Sequence, residues 1–229
     1  MKKKGTVKRV VVGVLVLALC VTGILAATGA FGTSEMYSLG SYQKQFRQTR
    51  ENELQGTGER DVVASYKDFK VRKSSIEYAK KTDAMREEPI YKDEQDIIDQ
   101  LIIGQLLLEE ADRRGIKASA EEVEDVLDQT EETYATPDGK QWIDDYCAGA
   151  GLTYEEYLNM LRDQVPRTIT RRKVRDAIGQ DYCKEHDIEF TKVNQPQEMV
   201  DAVNAYIDGL LEAAQPEIVY YSRNGEQTQ

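Results

Sequence analysis

Residues 96–126 read DIIDQLIIGQLLLEEADRRGIKASAEEVEDV, and this stretch decides the fold class. Ile97, Leu101, Leu108 and Ala111 recur at helical spacing, and Ile98, Ile102 and Leu106 widen the apolar stripe. Gly115 supplies the left-handed residue that ends a helix. Arg113 and Arg114 sit in the last turn, where the helix dipole favours cations. Ser119 and Glu122 then form a capping box ahead of Val123, Val126 and Leu127. The spacing predicts one helix over about 92–114 and a second over about 119–133.

The same logic extends outward in both directions. Ser74 or Ser75 is placed to cap a helix running to about Arg86, with Pro89 beyond its end. Pro137-Asp138-Gly139 reads as a turn before a helix over about 140–148, ended by Gly149 and Gly151. Thr153 and Glu156 repeat the capping box. Pro166 either kinks the helix that follows or opens a new one running to about His186. A last helix is expected over about 197–214, stopped by Pro216. EIVYY at 217–221 reads as a strand, with the segment around Phe69–Val71 as its expected partner. The expected fold class is mainly α, a multi-helix domain with a small two-stranded pairing of its ends, preceded by one N-terminal transmembrane helix.

The order of motifs resembles the N-terminal helical domain of SurA-like and PrsA-like extracytoplasmic chaperones. In that family a D-x-L-I-x-x-x-L-L-x-x-x-A helix leads into a G-I-x-x-S-x-E-E-V turn and helix. Asp99, Leu101, Ile102, Leu106, Leu107, Ala111, Gly115, Ile116, Ser119, Glu121, Glu122 and Val123 occupy those positions here. The resemblance covers about 69–186, with a weaker echo in the last helix and strand. Many such proteins carry a parvulin-type prolyl isomerase domain before the final helix. Only residues 188–197 occupy that gap here, and His186 is the one histidine of the chain, whereas a parvulin core needs several. The resemblance therefore implies a chaperone-like helical domain without the isomerase.

The N-terminus bears on location. Lys2, Lys3, Lys4, Lys8 and Arg9 precede an uncharged run over 10–31. A run of that length can cross a bilayer core of roughly 30 Å, with its basic flank on the cytoplasmic side. An uncleaved signal anchor is the preferred reading. A secretory signal cleaved near Leu25-Ala26-Ala27 or Thr28-Gly29-Ala30 is the alternative. A lipoprotein signal fits least, because Leu19 stands before Cys20 where a small residue is needed. The expected division is 1–9 cytoplasmic flank, 10–31 transmembrane anchor, 32–66 spacer, 67–223 helical domain and 224–229 tail. The expected location is a bacterial cytoplasmic membrane, with the domain outside.

The chain carries 30 Lys+Arg against 41 Asp+Glu, a net charge of −11. Without the five basic residues before Val10, 25 stand against 41, a net of −16. Such a surface argues against nucleic acid and against lying flat on anionic lipid. The expected partners are unfolded or exported polypeptides, with membrane attachment through the N-terminal helix.

Candidate chemistry is sparse. Tyr134, Trp142, Tyr146, Tyr154, Tyr157 and Met160 form an aromatic-rich set that suits an adaptable peptide-binding surface or an ordinary core. Cys147 and Cys183 could form a disulfide or remain buried thiols. Cys183-x-x-His186 is too small a donor set for zinc and lacks an activating partner for a nucleophile. The acidic pairs Glu109-Glu110, Glu121-Glu122, Asp144-Asp145 and Glu155-Glu156 read as helix starts and solvated faces. The basic residues Arg162, Arg167, Arg171, Arg172, Lys173 and Arg175 are expected to pair with the acid-rich helices. No catalytic residue, metal or cofactor is expected. The leading expectation is a non-catalytic holdase chaperone. The alternatives are an adaptor for one cell-envelope partner and a degenerate prolyl isomerase.

Overall fold

The structure, a computed structural model, describes residues 33–55, 61–86, 88–193, 195–221 and 227–228. The anchor expected over 10–31 and its basic flank lie outside these. Among the described residues no helix is long and apolar enough to cross a membrane. The protein is mainly helical, with a small antiparallel sheet.

The decisive stretch folds as its caps dictate. Helix α3 spans Glu94–Arg114; Asp93 caps it by accepting from the Asp96 N–H at 2.9 Å. Gly115, at φ +67°, turns the chain so that Ile116 N–H reaches the Ala111 carbonyl at 2.8 Å. Helix α4, Ala120–Tyr134, opens on the Ser119–Glu122 capping box with both of its hydrogen bonds formed. Before α3 lie α1 (Thr33–Gln55) and α2 (Lys73–Asp83). After α4 come α5 (Pro137–Ala150), α6 (Tyr154–Glu185) and α7 (Gln197–Ala214). The Thr153–Glu156 box opens α6.

Two local readings need correction, and a third is narrowed to one of its alternatives. Pro137 is not part of a turn: it stands at the first position of α5, where the missing N–H costs nothing, and Thr136 caps the helix. Pro166 lies inside one long helix, so of its two alternatives the one in which it opens a new helix falls away; the fully buried Val165 and Ile169 on either side hold the helix continuous by packing. Neither Ser74 nor Ser75 caps α2. Glu53 of α1 does that work instead, accepting from Ser74 N–H at 3.1 Å and Ser74 Oγ at 2.6 Å.

The largest correction concerns 32–66. Thr33–Gln55 is a helix rather than a spacer, and it lies along α5 with Met36, Leu39 and Gln43 buried. Val62–Tyr66 forms β1, so the domain begins well before residue 67. β1 pairs with β2 (Phe69–Arg72) through a two-residue turn and, on its other edge, with β3 (Ile218–Tyr221). The terminal strand thus meets β1 rather than the expected Phe69–Val71 segment. Gln227–Thr228 adds a short β4 beside β3, inside the stretch expected as a tail.

Among the described residues three apolar clusters form the core. One joins α1, α4, α5 and the first half of α6. A second packs the sheet and α2 onto Ile97, Ile98, Ile102 and Leu106 of α3. The third joins Ile103, Leu107 and Ala111 of α3 to Val174 and Ile178 of α6 and to Val203 and Ile207 of α7. Helices α3 and α6 each serve two clusters, which is why both are apolar over more than one face.

Candidate functional site

The structure brings the six expected binding residues together, two as interior and four along its edge. Tyr146 and Tyr157 are buried and meet edge to face, with ring centroids 5.5 Å apart. Burial pushes the ionisation of both hydroxyls upward. Trp142, Tyr154, Tyr134 and Met160 are half-buried along the edge of the same cluster. Tyr134 stacks on Tyr154 at 3.8 Å and donates its hydroxyl to Asp144 at 3.0 Å, while Lys140 lies over the Tyr134 ring. The Tyr154 hydroxyl is buried without a partner, and desolvation raises its pKa to about 12. This edge is a packed wall with little free aromatic surface.

An open groove lies elsewhere, between α1 and α2. It encloses about 400 Å³. Phe46 and Tyr78 form its floor, ring centroids 5.1 Å apart, with Tyr42 beside them. The side walls are polar and charged: Gln45, Thr49 and Asn52 come from α1, Lys73 and Glu77 from α2, and Asp61 from just before β1. Lys81 of α2 donates to Gln45 Oε1 at 2.7 Å and covers the Tyr42 ring. The buried Glu53 carboxylate closes the far end through its two bonds from Ser74. Burial and then the like charge of Arg72 hold the Arg50 guanidinium below its ordinary range, with Glu53 opposing the effect. An apolar floor with hydrogen-bonding walls can hold one or two large side chains of an extended polypeptide while satisfying its backbone.

Sequence reasoning missed this groove because it assigned 32–66 to a spacer. One signal was present: Met36, Leu39, Gln43, Phe46, Arg50 and Glu53 recur at three- and four-residue spacing. Half of that stripe is polar, so hydropathy hides it.

The remaining candidates carry little chemistry. Cys147 and Cys183 are free and buried, so the disulfide gives way to the two-thiol alternative. Burial raises the Cys147 thiol to about 11, which keeps it protonated and a poor nucleophile. His186 is the C-cap of α6, stacked on Tyr182 with Nδ1 2.9 Å from the Tyr182 carbonyl. Among the described residues no three His, Cys, Asp or Glu side chains are grouped to hold a metal ion.

Glu110 is not on a solvated face. It is buried, and it accepts from Arg113 Nε and Nη2 at 2.6 Å each, from Arg114 Nε, and from Tyr206 OH at 2.7 Å. Arg114 continues to Asp181 at 2.6 Å, so one carboxylate ties α3 to α7 and, through Arg114, to α6. The Arg113 guanidinium, followed by Arg114 and Tyr206, holds its pKa down to about 2 against the opposing effect of burial. No family model matches the chain, and no curated protein or solved structure matches it either.

Proposed function

We propose that the protein is a membrane-tethered extracytoplasmic holdase that binds segments of unfolded or exported polypeptides in the α1–α2 groove, without isomerase activity. The observation that carries this reading is the groove itself, with Phe46 and Tyr78 on its floor and amide, hydroxyl and charged groups of both signs on its walls. Exported chains expose aromatic and aliphatic segments before they fold, and a shallow site of this kind holds them weakly. The order of elements supports the resemblance to SurA-like domains. α7 and β3 return to the β1–β2 hairpin, and the link from α6 to α7 spans only 186–196.

The anchor read over 10–31 ends two residues before α1. With a rise of about 1.5 Å per residue, Tyr42 and Phe46 stand roughly 15–20 Å along α1 from its start. The groove would then stand close to the membrane surface, where exported chains emerge. One observation favours a narrower reading, an adaptor for a single envelope partner. Glu53, Ser74, Lys81 and Gln45 are hydrogen-bonded to one another in pairs, which gives the groove a set shape.

Aggregation of several unrelated denatured proteins, diluted into residues 33–229, separates the two. The holdase reading expects dose-dependent suppression across clients beyond that of an inert acidic protein, weakened by Tyr42→Ala. Suppression of none sinks the holdase and leaves the adaptor. A proline-limited refolding reaction should keep its uncatalysed rate of tens of seconds or more; acceleration would point to an isomerase instead.

A further inference from the structure

The basic stretch of α6 behaves differently from the expectation of internal pairing. Lys173 does pair with Glu122 at 2.8 Å, and Arg162 bonds Asn159. Arg167, Arg171 and Arg175 do not pair. They stand four residues apart on one face of α6, and among the described residues no carboxylate forms an ion pair with any of them. In a chain with 41 acidic residues that is a departure from what charge alone would arrange.

Two buried donors on this face also have no hydrogen-bond partner among the described residues. Arg171 Nε is enclosed and makes no hydrogen bond. The Thr168 hydroxyl, one turn earlier, is enclosed and unbonded as well. Other buried threonines of the molecule return their hydroxyls to a carbonyl four residues back, as Thr82, Thr130 and Thr133 do. Thr168 does not. Gly104, inside α3, stands against Arg171: a Cβ there would lie 3.1 Å from Arg171 Nη1. A glycine inside a helix costs about 1 kcal/mol relative to alanine. Here it leaves room for a guanidinium between α3 and α6.

We propose that Thr168, Arg171 and Arg175, flanked by Arg167, form an oxyanion-binding site where α6 meets α3, taking a phosphate or carboxylate group. The guanidinium of Arg171 offers a planar fork that matches either oxyanion, and the Thr168 hydroxyl adds a third donor. Burial and the like charges of Arg167 and Arg175 hold the Arg171 guanidinium below its ordinary range, and burial does the same to Arg175. An anion between them relieves both the repulsion and the unmet donors. The site is separate from the α1–α2 groove and does not depend on the polypeptide-binding reading.

The test is thermal unfolding and calorimetry of the full-length chain in a non-ionic detergent, with inorganic phosphate or citrate added against chloride at matched ionic strength. A midpoint raised by phosphate alone assigns a phosphate ligand, and one raised by citrate alone assigns a carboxylate ligand. Arg171→Met should leave the anion-free protein at least as stable and weaken binding about tenfold, the loss of one charged hydrogen-bonding group. Arg167→Gln, at an exposed position, should weaken it about threefold without touching the fold. Two results overturn the proposal. One is no rise beyond chloride with either anion. The other is affinity unchanged in both variants.

Discussion

Gly149→Ala is expected to detach α1 from the rest of the molecule. A Cβ at Gly149 would lie 2.0 Å from the Tyr37 carbonyl oxygen, and one at Gly40 would lie 2.1 Å from the Tyr146 carbonyl oxygen. Both obstacles are backbone, so no side-chain rotation relieves them. The two helices must part, and with them the contacts of Met36 and Leu39 with Tyr146, Cys147 and Ala150. Overpacking of this severity costs about 3 kcal/mol or more, a large share of the roughly 5–15 kcal/mol that holds a domain together. Gly40→Ala should behave alike. Gly209→Ala is the control, because a Cβ there meets nothing within 4 Å and should stabilise α7 by about 0.5–1 kcal/mol. Urea unfolding measures the loss, and limited proteolysis locates it. Cleavage within 33–55 should precede global unfolding. An unchanged midpoint in Gly149→Ala would mean that the close helix crossing is not present in solution.

Glu110→Ala is expected to cost about 3 kcal/mol, because it removes the buried acceptor shared by Arg113, Arg114 and the Tyr206 hydroxyl and leaves Arg114 with Asp181 as its remaining carboxylate. Glu110→Gln keeps the shape and loses the charge, and should cost about 2 kcal/mol once solvent around the exposed Arg113 is allowed for. The pH dependence gives a sharper signature. The folded-state pKa is lowered from 4.5 to about 2. The unfolded chain therefore takes up the proton first as pH falls, and the stabilisation, complete above about 4.5, fades down to about 2. The stability gap between wild type and Glu110→Gln should close across that window. Comparing the two proteins cancels the titration of the other carboxylates. A gap that stays constant from pH 6 to pH 2.5 would show that the Glu110 charge contributes nothing to the fold.

The elements legible in the sequence are those whose ends carry their own chemistry. Gly115, Ser119 and Thr153 announce the end of α3 and the starts of α4 and α6 because a cap is a local hydrogen bond, readable over four residues. Helix α1 has no such advantage. Its buried face mixes Met36 and Leu39 with Gly40, Gln43 and Glu53, and its tightest contact is backbone against backbone at two glycines. Hydropathy registers neither. The β1 residues VVASY have strand character, but their partner β3 lies more than 150 residues away, and only the closed fold shows which strand it joins. Glu109 and Glu110 look alike in sequence. Glu110 is buried because Tyr206 and Arg114 meet it there, while Glu109 turns to Tyr66 and Lys67 of the hairpin. The aromatic set of 134–160 was grouped by composition, and composition cannot say that Tyr146 and Tyr157 face inward.

Site-specific photocrosslinking tests the central claim most directly. A photoreactive residue is placed at Thr49 in the groove, at Met160 beside the tyrosine stack and at the exposed Glu124 of α4, and each protein is irradiated with a denatured client. The α1–α2 groove as polypeptide site expects crosslinks at Thr49 well above those at Met160 and Glu124, and their loss when Tyr42→Ala is added. Equal labelling at the three positions, or labelling concentrated at Met160, would contradict it.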